Sequence, residues 1–263
     1  MRVAVISQEQ TSGKSTFIAL LAGLFSRTQG KNVIILSTGS ALENVDIVSV
    51  RESDKTLRSM HVFKALLGSD AINTGELYDY GCRAGEENVF IYDIFGVSMD
   101  KHDQRELFME SLNNINADLT LVEIKGDIHD EFNEKVIKAC DVVLYVFTHS
   151  KPSIAALRKY VDSESKDVVI KTGFVCGMYD RNVVSEKKLG ALIKMNVRNI
   201  LLFPRNSAVA KKCLDGNVDY LIYNIIKGSP EVLELRSKFL EVMQYLYDTP
   251  KMKYIRGIDQ WFR

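Results

Sequence analysis

The chain has 263 residues, 46% hydrophobic and 26% charged, which is ordinary globular composition. Its 34 basic and 34 acidic residues cancel, so no global field draws it to nucleic acid. Cys82, Cys140, Cys176 and Cys213 are scattered with no CxxC pair, which indicates neither a disulfide framework nor a zinc cluster and fits a reducing cytoplasm. No apolar run approaches the roughly 20 residues needed to span a bilayer.

In chain order, residues 3–7 read as a buried first strand rather than a secretory signal. Residues 14–28 read as a helix and 33–37 as a strand. Residues 54–80 read as largely helical, with a break near Gly68. A strand follows at 89–92, a helix at 101–115, a strand at 119–123 and a helix at 129–139. Residues 141–147 form a strand, followed by a helix after Pro152. Residues 168–176 are a strand, 184–195 a helix and 199–203 a strand; helices then dominate to about residue 248. Short β-branched runs are strands covered on both faces. Their alternation with helices predicts an α/β fold with a doubly wound, mainly parallel sheet. Residues 1–250 form that domain, and 251–263 an appended tail. In such sheets ligands bind beyond the carboxyl ends of the strands.

The first such end carries Ser7-Gln8-Glu9-Gln10-Thr11-Ser12-Gly13-Lys14-Ser15-Thr16. A strand, a loop and a helix start in this order suit a triphosphate, because backbone N–H groups and the helix dipole both face it. Thr11, Ser12 and Gly13 supply the loop, and Gly13 lets the backbone approach. Lys14 reaches the β- and γ-phosphates, Ser15 holds Mg²⁺, and Thr16 faces the α-phosphate. The cofactors implied are ATP or ADP with Mg²⁺. The usual pattern has glycine where this chain has Gln8. Glu9 brings negative charge towards the phosphates and weakens binding unless it points away.

Beyond the loop, the strands 117–126 and 139–148, and the segment from 173–180 to 202–206, follow in an order that resembles the ParA/MinD family of P-loop ATPases. The resemblance implies proteins that dimerise on nucleotide and position cellular cargo. It implies that Gly177, Pro204 and Arg205 bracket the adenine, and that Glu123 stands at the switch II acid. Asp93, in Tyr92-Asp93-Ile94-Phe95-Gly96, fits the strand-acid-x-x-Gly pattern better, whereas chain order favours Glu123. Both stay open as the magnesium-associated, catalytic carboxylate beside Lys14. For either, the plain alternative is an acid that ends a strand and caps the next helix.

Five positions depart from the family. Gln8 replaces a lysine that reaches the partner subunit's phosphates. Ser37 and Gly39 replace an Asp-x-Asp, Glu123 is one methylene longer than aspartate, and Gly177 replaces an adenine-contacting asparagine. Arg205 and Lys125 are candidate substitute cations, with a plain surface role as the alternative. Phosphoryl transfer rests on positioning and electrostatics, so these departures slow hydrolysis before they abolish binding. The expectation is a slow ATPase at most. An atypical loop resembles the TadZ/CpaE branch, which marks the pole for pilus assembly. Asp127 and Asp130 read as caps or solvated charges. His149, after a strand end, is a candidate lining residue.

The tail 251–263 has four basic residues and one acid, with Ile255, Ile258 and Trp261 or Phe262 at helical spacing. A basic amphipathic tail suits a membrane interface; docking onto the sheet or a partner subunit is the alternative. The partners implied are a second copy of the chain, and a membrane surface or a secretion or pilus protein. Nonspecific DNA binding through Lys187, Lys188, Lys211 and Lys212 is the competing reading, less favoured by zero net charge.

Overall fold

The computed structural model describes residues 1–9, 12–39, 81–84, 88–92, 94–95, 100–165, 168–169, 171–196 and 199–248. The helix read at 54–80, Thr11, Asp93 and the tail 251–263 lie outside these residues. Runs such as Val-Ile-Ile-Leu have no room for a solvated face, and they become the middle of one sheet. Its strands are β1 (Arg2–Ile6), β2 (Val33–Ser37), β3 (Cys82–Ala84), β4 (Val89–Tyr92), β5 (Leu119–Glu123), β6 (Val142–Phe147), β7 (Thr172–Tyr179) and β8 (Ile200–Pro204). They lie in the order β3-β4-β2-β5-β1-β6-β7-β8. All pairings are parallel except β3 with β4.

Helices cover both faces. They are α1 (Lys14–Gln29), α2 (Lys101–Asn114), α3 (Glu131–Ala139), α4 (Lys151–Ser163), α5 (Glu186–Ile193), α6 (Ser207–Leu214), α7 (Val218–Lys227) and α8 (Leu233–Asp248). Alternation along β1 divides the core. Val3 and Val5 pack with α1, α7 and α8 on one face, while Ala4 and Ile6 pack with α2, α3, α4 and α5 on the other. Every residue from Phe17 to Ser26 of α1 is buried, so this helix is a structural centre as well as the wall of the loop.

Side chains set most helix starts. Asp100, Asp130, Ser150, Ser185 and Asn206 each accept a backbone N–H at the start of α2 to α6. One expectation is corrected. Residues 168–176 are not a single strand, because Val168 and Val169 turn helically and donate to the Ser165 carbonyl at 3.1 and 3.0 Å. The Thr172 hydroxyl closes that turn on the Val168 carbonyl at 2.7 Å, and the strand runs from there to Tyr179.

Candidate functional site

The carboxyl ends of β2, β5 and β1 meet at one edge, and the loop after β1 turns into α1 there. Gly13 adopts φ 80° and ψ 15°, a left-handed conformation that glycine enters without a Cβ penalty. Helix α1 starts with no side-chain cap and no acidic residue in its first turn. Its positive end therefore faces the loop with no acid of its own first turn against it. Ser12 is fully buried, and its Oγ has no hydrogen-bond partner among the described residues. A buried hydroxyl in that state is costly to leave unpaired, so it points to an external acceptor or donor.

Glu123 ends β5 opposite Val5 of β1 and Ser37 of β2. It is 0% exposed. A buried carboxylate needs partners to offset its lost hydration. Ser15 supplies one, donating from Oγ to Oε1 at 2.5 Å. Lys125 supplies another, with Nζ 3.8 Å from Oε2. The Lys14 ammonium donates to the Ile124 carbonyl one residue on. Thus the three loop and strand-end groups singled out in the sequence, Lys14, Ser15 and Glu123, converge on one point. The rival acid, Asp93, lies outside the described residues. Strand β4, which ends one residue before Asp93, is separated from β1 by β2 and β5.

Glu9 is engaged by a neighbouring loop. Its carboxylate accepts from Thr148 Oγ1 at 3.1 Å and from Ser150 Oγ at 3.0 Å, on the loop between β6 and α4. The charge that threatened the phosphate loop is held by two hydroxyls elsewhere. Gln8 is exposed. Asp130 caps α3 through Phe132 N, and Asp127 accepts from His129 N, so both are local turn-formers.

Beside the loop lies a cavity of about 610 Å³, bounded by α1, α6, α8 and the ends of β7 and β8. Its floor is apolar, with Phe17, Leu20, Val175, Phe203 and Phe239. Its rim includes Ser12, Gly13, Thr16, Gly177, Pro204 and Arg205. All three residues that the resemblance placed around adenine therefore line it, while His149 does not. Phe203 stands edge-on to Phe17 and Phe239, with centroids 5.2 and 4.8 Å away. Such edge-to-face pairs fix ring positions as well as bury area. The Cys213 thiol also borders the cavity; burial raises its pKa, and a hydrogen bond with Thr16 acts the other way.

Gly177 has a second role that the sequence reading missed. A Cβ there would stand 2.8 Å from the backbone carbonyl of Ser12, closer than packing allows. The glycine lets the loop lie directly on β7. Met178, next to it, takes a positive φ of 52° where the pairing of β7 with β8 shifts register. The setting of Lys125 was also missed. Its backbone is held by Thr38 Oγ1, which accepts from Lys125 N at 2.9 Å, and by Asn133 Nδ2, which donates to its carbonyl at 3.0 Å. Only the sheet order, bringing β2 beside β5, places Thr38 and Gly39 there.

No protein-family model and no curated protein matches the chain. Solved structures do match. A ParA family ATPase from Chlorobium tepidum superposes with a TM-score of 0.64 at 13% identity, over 84% of this chain and 92% of that one. The MinC:MinD cell division complex of Aquifex aeolicus gives 0.63 at 14% identity, over 92% and 96%. The septum site-determining protein MinD of Pyrococcus horikoshii, complexed with Mg-ADP, gives 0.58 at 16% identity, over 94% and 97%. The chain therefore has the ParA/MinD fold, an eight-stranded, mainly parallel P-loop sheet flanked by helices.

Proposed function

We propose that the chain is a Mg-nucleotide-binding positioning factor, taking ATP or ADP and hydrolysing ATP slowly at most. The observation that carries this is the convergence of Lys14, Ser15 and Glu123 at the uncapped start of α1. The residues fit the ligand. Ser12 to Thr16 would hold the phosphates, the unpaired Ser12 hydroxyl would gain a partner, and the apolar cavity would take base and ribose. Ser15 and Glu123 would hold Mg²⁺, which when bound spreads the charge on the phosphate oxygens. Lys14 would leave the Ile124 carbonyl for the β- and γ-phosphates.

Slow turnover follows from the acids the site lacks. Ser37 is buried and Gly39 has no side chain, so neither orients an attacking water as a carboxylate would. The resemblance in fold supports a nucleotide-dependent homodimer with the loops at its interface. That dimer would act in the cytoplasm or at the inner face of the membrane, on a pilus or secretion protein as in the TadZ/CpaE branch. No described helix is long and apolar enough to cross a membrane.

Isothermal titration with Mg-ATP and Mg-ADP tests the central claim. Wild type should bind both, and Lys14→Ala should weaken Mg-ATP by about a hundred-fold, the scale of a lost charge-assisted contact. Identical titrations for wild type and variant would remove the phosphate-loop reading. Turnover with saturating Mg-ATP tests the slow-hydrolysis claim; a rate near the median enzyme kcat, on the order of 10 per second, would overturn it. Gel shifts across a salt series with and without ATP separate positioning from DNA partition, which requires salt-sensitive binding.

A further inference from the structure

We propose that Lys125 is the γ-phosphate sensor of this site, and this rests on the nucleotide-binding reading above. A Mg-triphosphate is a net dianion, which Lys14 offsets by one charge. Buried Glu123 adds one back, so the site as assembled from Lys14, Ser15 and Glu123 remains strongly negative. Shortening the ligand to a diphosphate lessens that excess, and the site without a further cation would favour the diphosphate.

Lys125 meets the requirement. Its Nζ stands 3.8 Å from Glu123 Oε2, across one carboxylate from the oxygen that accepts from Ser15. Its side chain is 22% exposed, so it is largely shielded from bulk solvent. The stem starts from a fixed point, because Thr38 and Asn133 hold the backbone of residue 125 from both sides. A flexible four-carbon stem then lets the ammonium swing from Glu123 to a phosphate oxygen.

Gly39 makes room for this. A Cβ at position 39 would lie 3.1 Å from Lys125 Cδ and 3.4 Å from its Cβ, so any side chain there presses on the stem. A carboxylate at 39 would also compete for the ammonium. The absence of an acid at 39 and the presence of a cation at 125 therefore belong together. With a diphosphate bound, Lys125 stays on Glu123. With a triphosphate, it leaves for the terminal phosphate, and the β2 and β5 ends feel the difference.

The test is isothermal titration of full-length wild type, Lys125→Met and Gly39→Asp with Mg-ADP and with Mg-AMPPNP, which keeps its terminal phosphate. Lys125→Met should weaken Mg-AMPPNP by about ten-fold or more and change Mg-ADP by less than about two-fold, as expected for one charge-assisted contact to the terminal group. Gly39→Asp, which leaves Lys125 in place, should shift the ratio in the same direction, and Lys125→Arg should restore most of it. Equal losses for both ligands in Lys125→Met would reduce Lys125 to a neutraliser of Glu123 and overturn the proposal. So would an unchanged AMPPNP to ADP ratio in Gly39→Asp, which decides the matter alone if Lys125→Met does not fold. Failure of wild type to bind either nucleotide would instead overturn the nucleotide-binding reading itself.

Discussion

The two ends of the site are built on different physics. At the phosphate end, Lys14, Ser15, Glu123, Lys125 and Thr38 hold one another through hydrogen bonds and charge, and few apolar atoms take part. At the proposed base end, Phe17, Leu20, Val175, Phe203 and Phe239 supply area and shape. Asn206, on the rim, spends its amide on the start of α6 and on the Glu231 carbonyl. Recognition is thereby divided. On the proposed reading, charge number would be read at one end and ring volume at the other, and a change at either should leave its own signature.

The largest effect belongs to the base end, because its rings are also core. Phe203→Ala should cost about 3–5 kcal/mol in urea unfolding, the usual range for a buried phenylalanine. A loss below about 1 kcal/mol would mean that the aromatic trio is loosely packed and the cavity merely a gap. At the phosphate end, Glu123→Gln keeps the size and removes the charge. The strengthening of ADP binding by Mg²⁺ should then fall by about ten-fold, measured by titration with and without the metal. An unchanged magnesium effect would pass the carboxylate role to Asp93.

Smaller effects sharpen the division. An apolar pocket discriminates poorly between rings of similar size, so Mg-GTP should bind within about ten-fold of Mg-ATP. A preference for ATP of a thousand-fold would reveal a polar base contact. The smallest effect concerns Cys213. Burial holds its thiol above the ordinary value of 9.0, so the thiolate is scarce at neutral pH. Its alkylation, followed by mass spectrometry, should still be accelerating as pH passes 9, and saturating nucleotide should slow it about three-fold or more by covering the cavity. A plateau below that pH would contradict the burial of the thiol.

Much of the sheet was legible because its strands are short β-branched runs with no solvated face. The strands at Val33–Ser37, Val89–Tyr92 and Leu119–Glu123 lie where the sequence placed them. The antiparallel β3 was not foreseen, since three residues carry no periodicity. Val168 and Val169 were read as strand on composition, but their N–H groups turn back to Ser165 and the Thr172 hydroxyl, four positions after Val168, closes the turn. The turn at Gly13 and the helix start at Lys14 and Ser15 were legible from the triplet's place after the first apolar strand, despite Gln8 where the usual pattern has glycine. Lys125 and Gly39 were not legible as a pair, because 86 residues separate them and only the β2–β5 pairing brings them together. Glu9 was read as a liability for the same reason, its hydroxyl partners lying far along the chain at Thr148 and Ser150.

The close approach of Ser12 to Gly177 bears on how this pocket can be changed. Installing an amide there, as Gly177→Asn, would not simply add a base contact, because its Cβ would drive into the Ser12 carbonyl. Loop and strand would have to part first, and the phosphate grip would loosen as base selectivity rose. The two properties are thus mechanically traded at one atom pair. A redesign of nucleobase preference has better starting points at Val209 or Ala210 on α6, which line the same cavity.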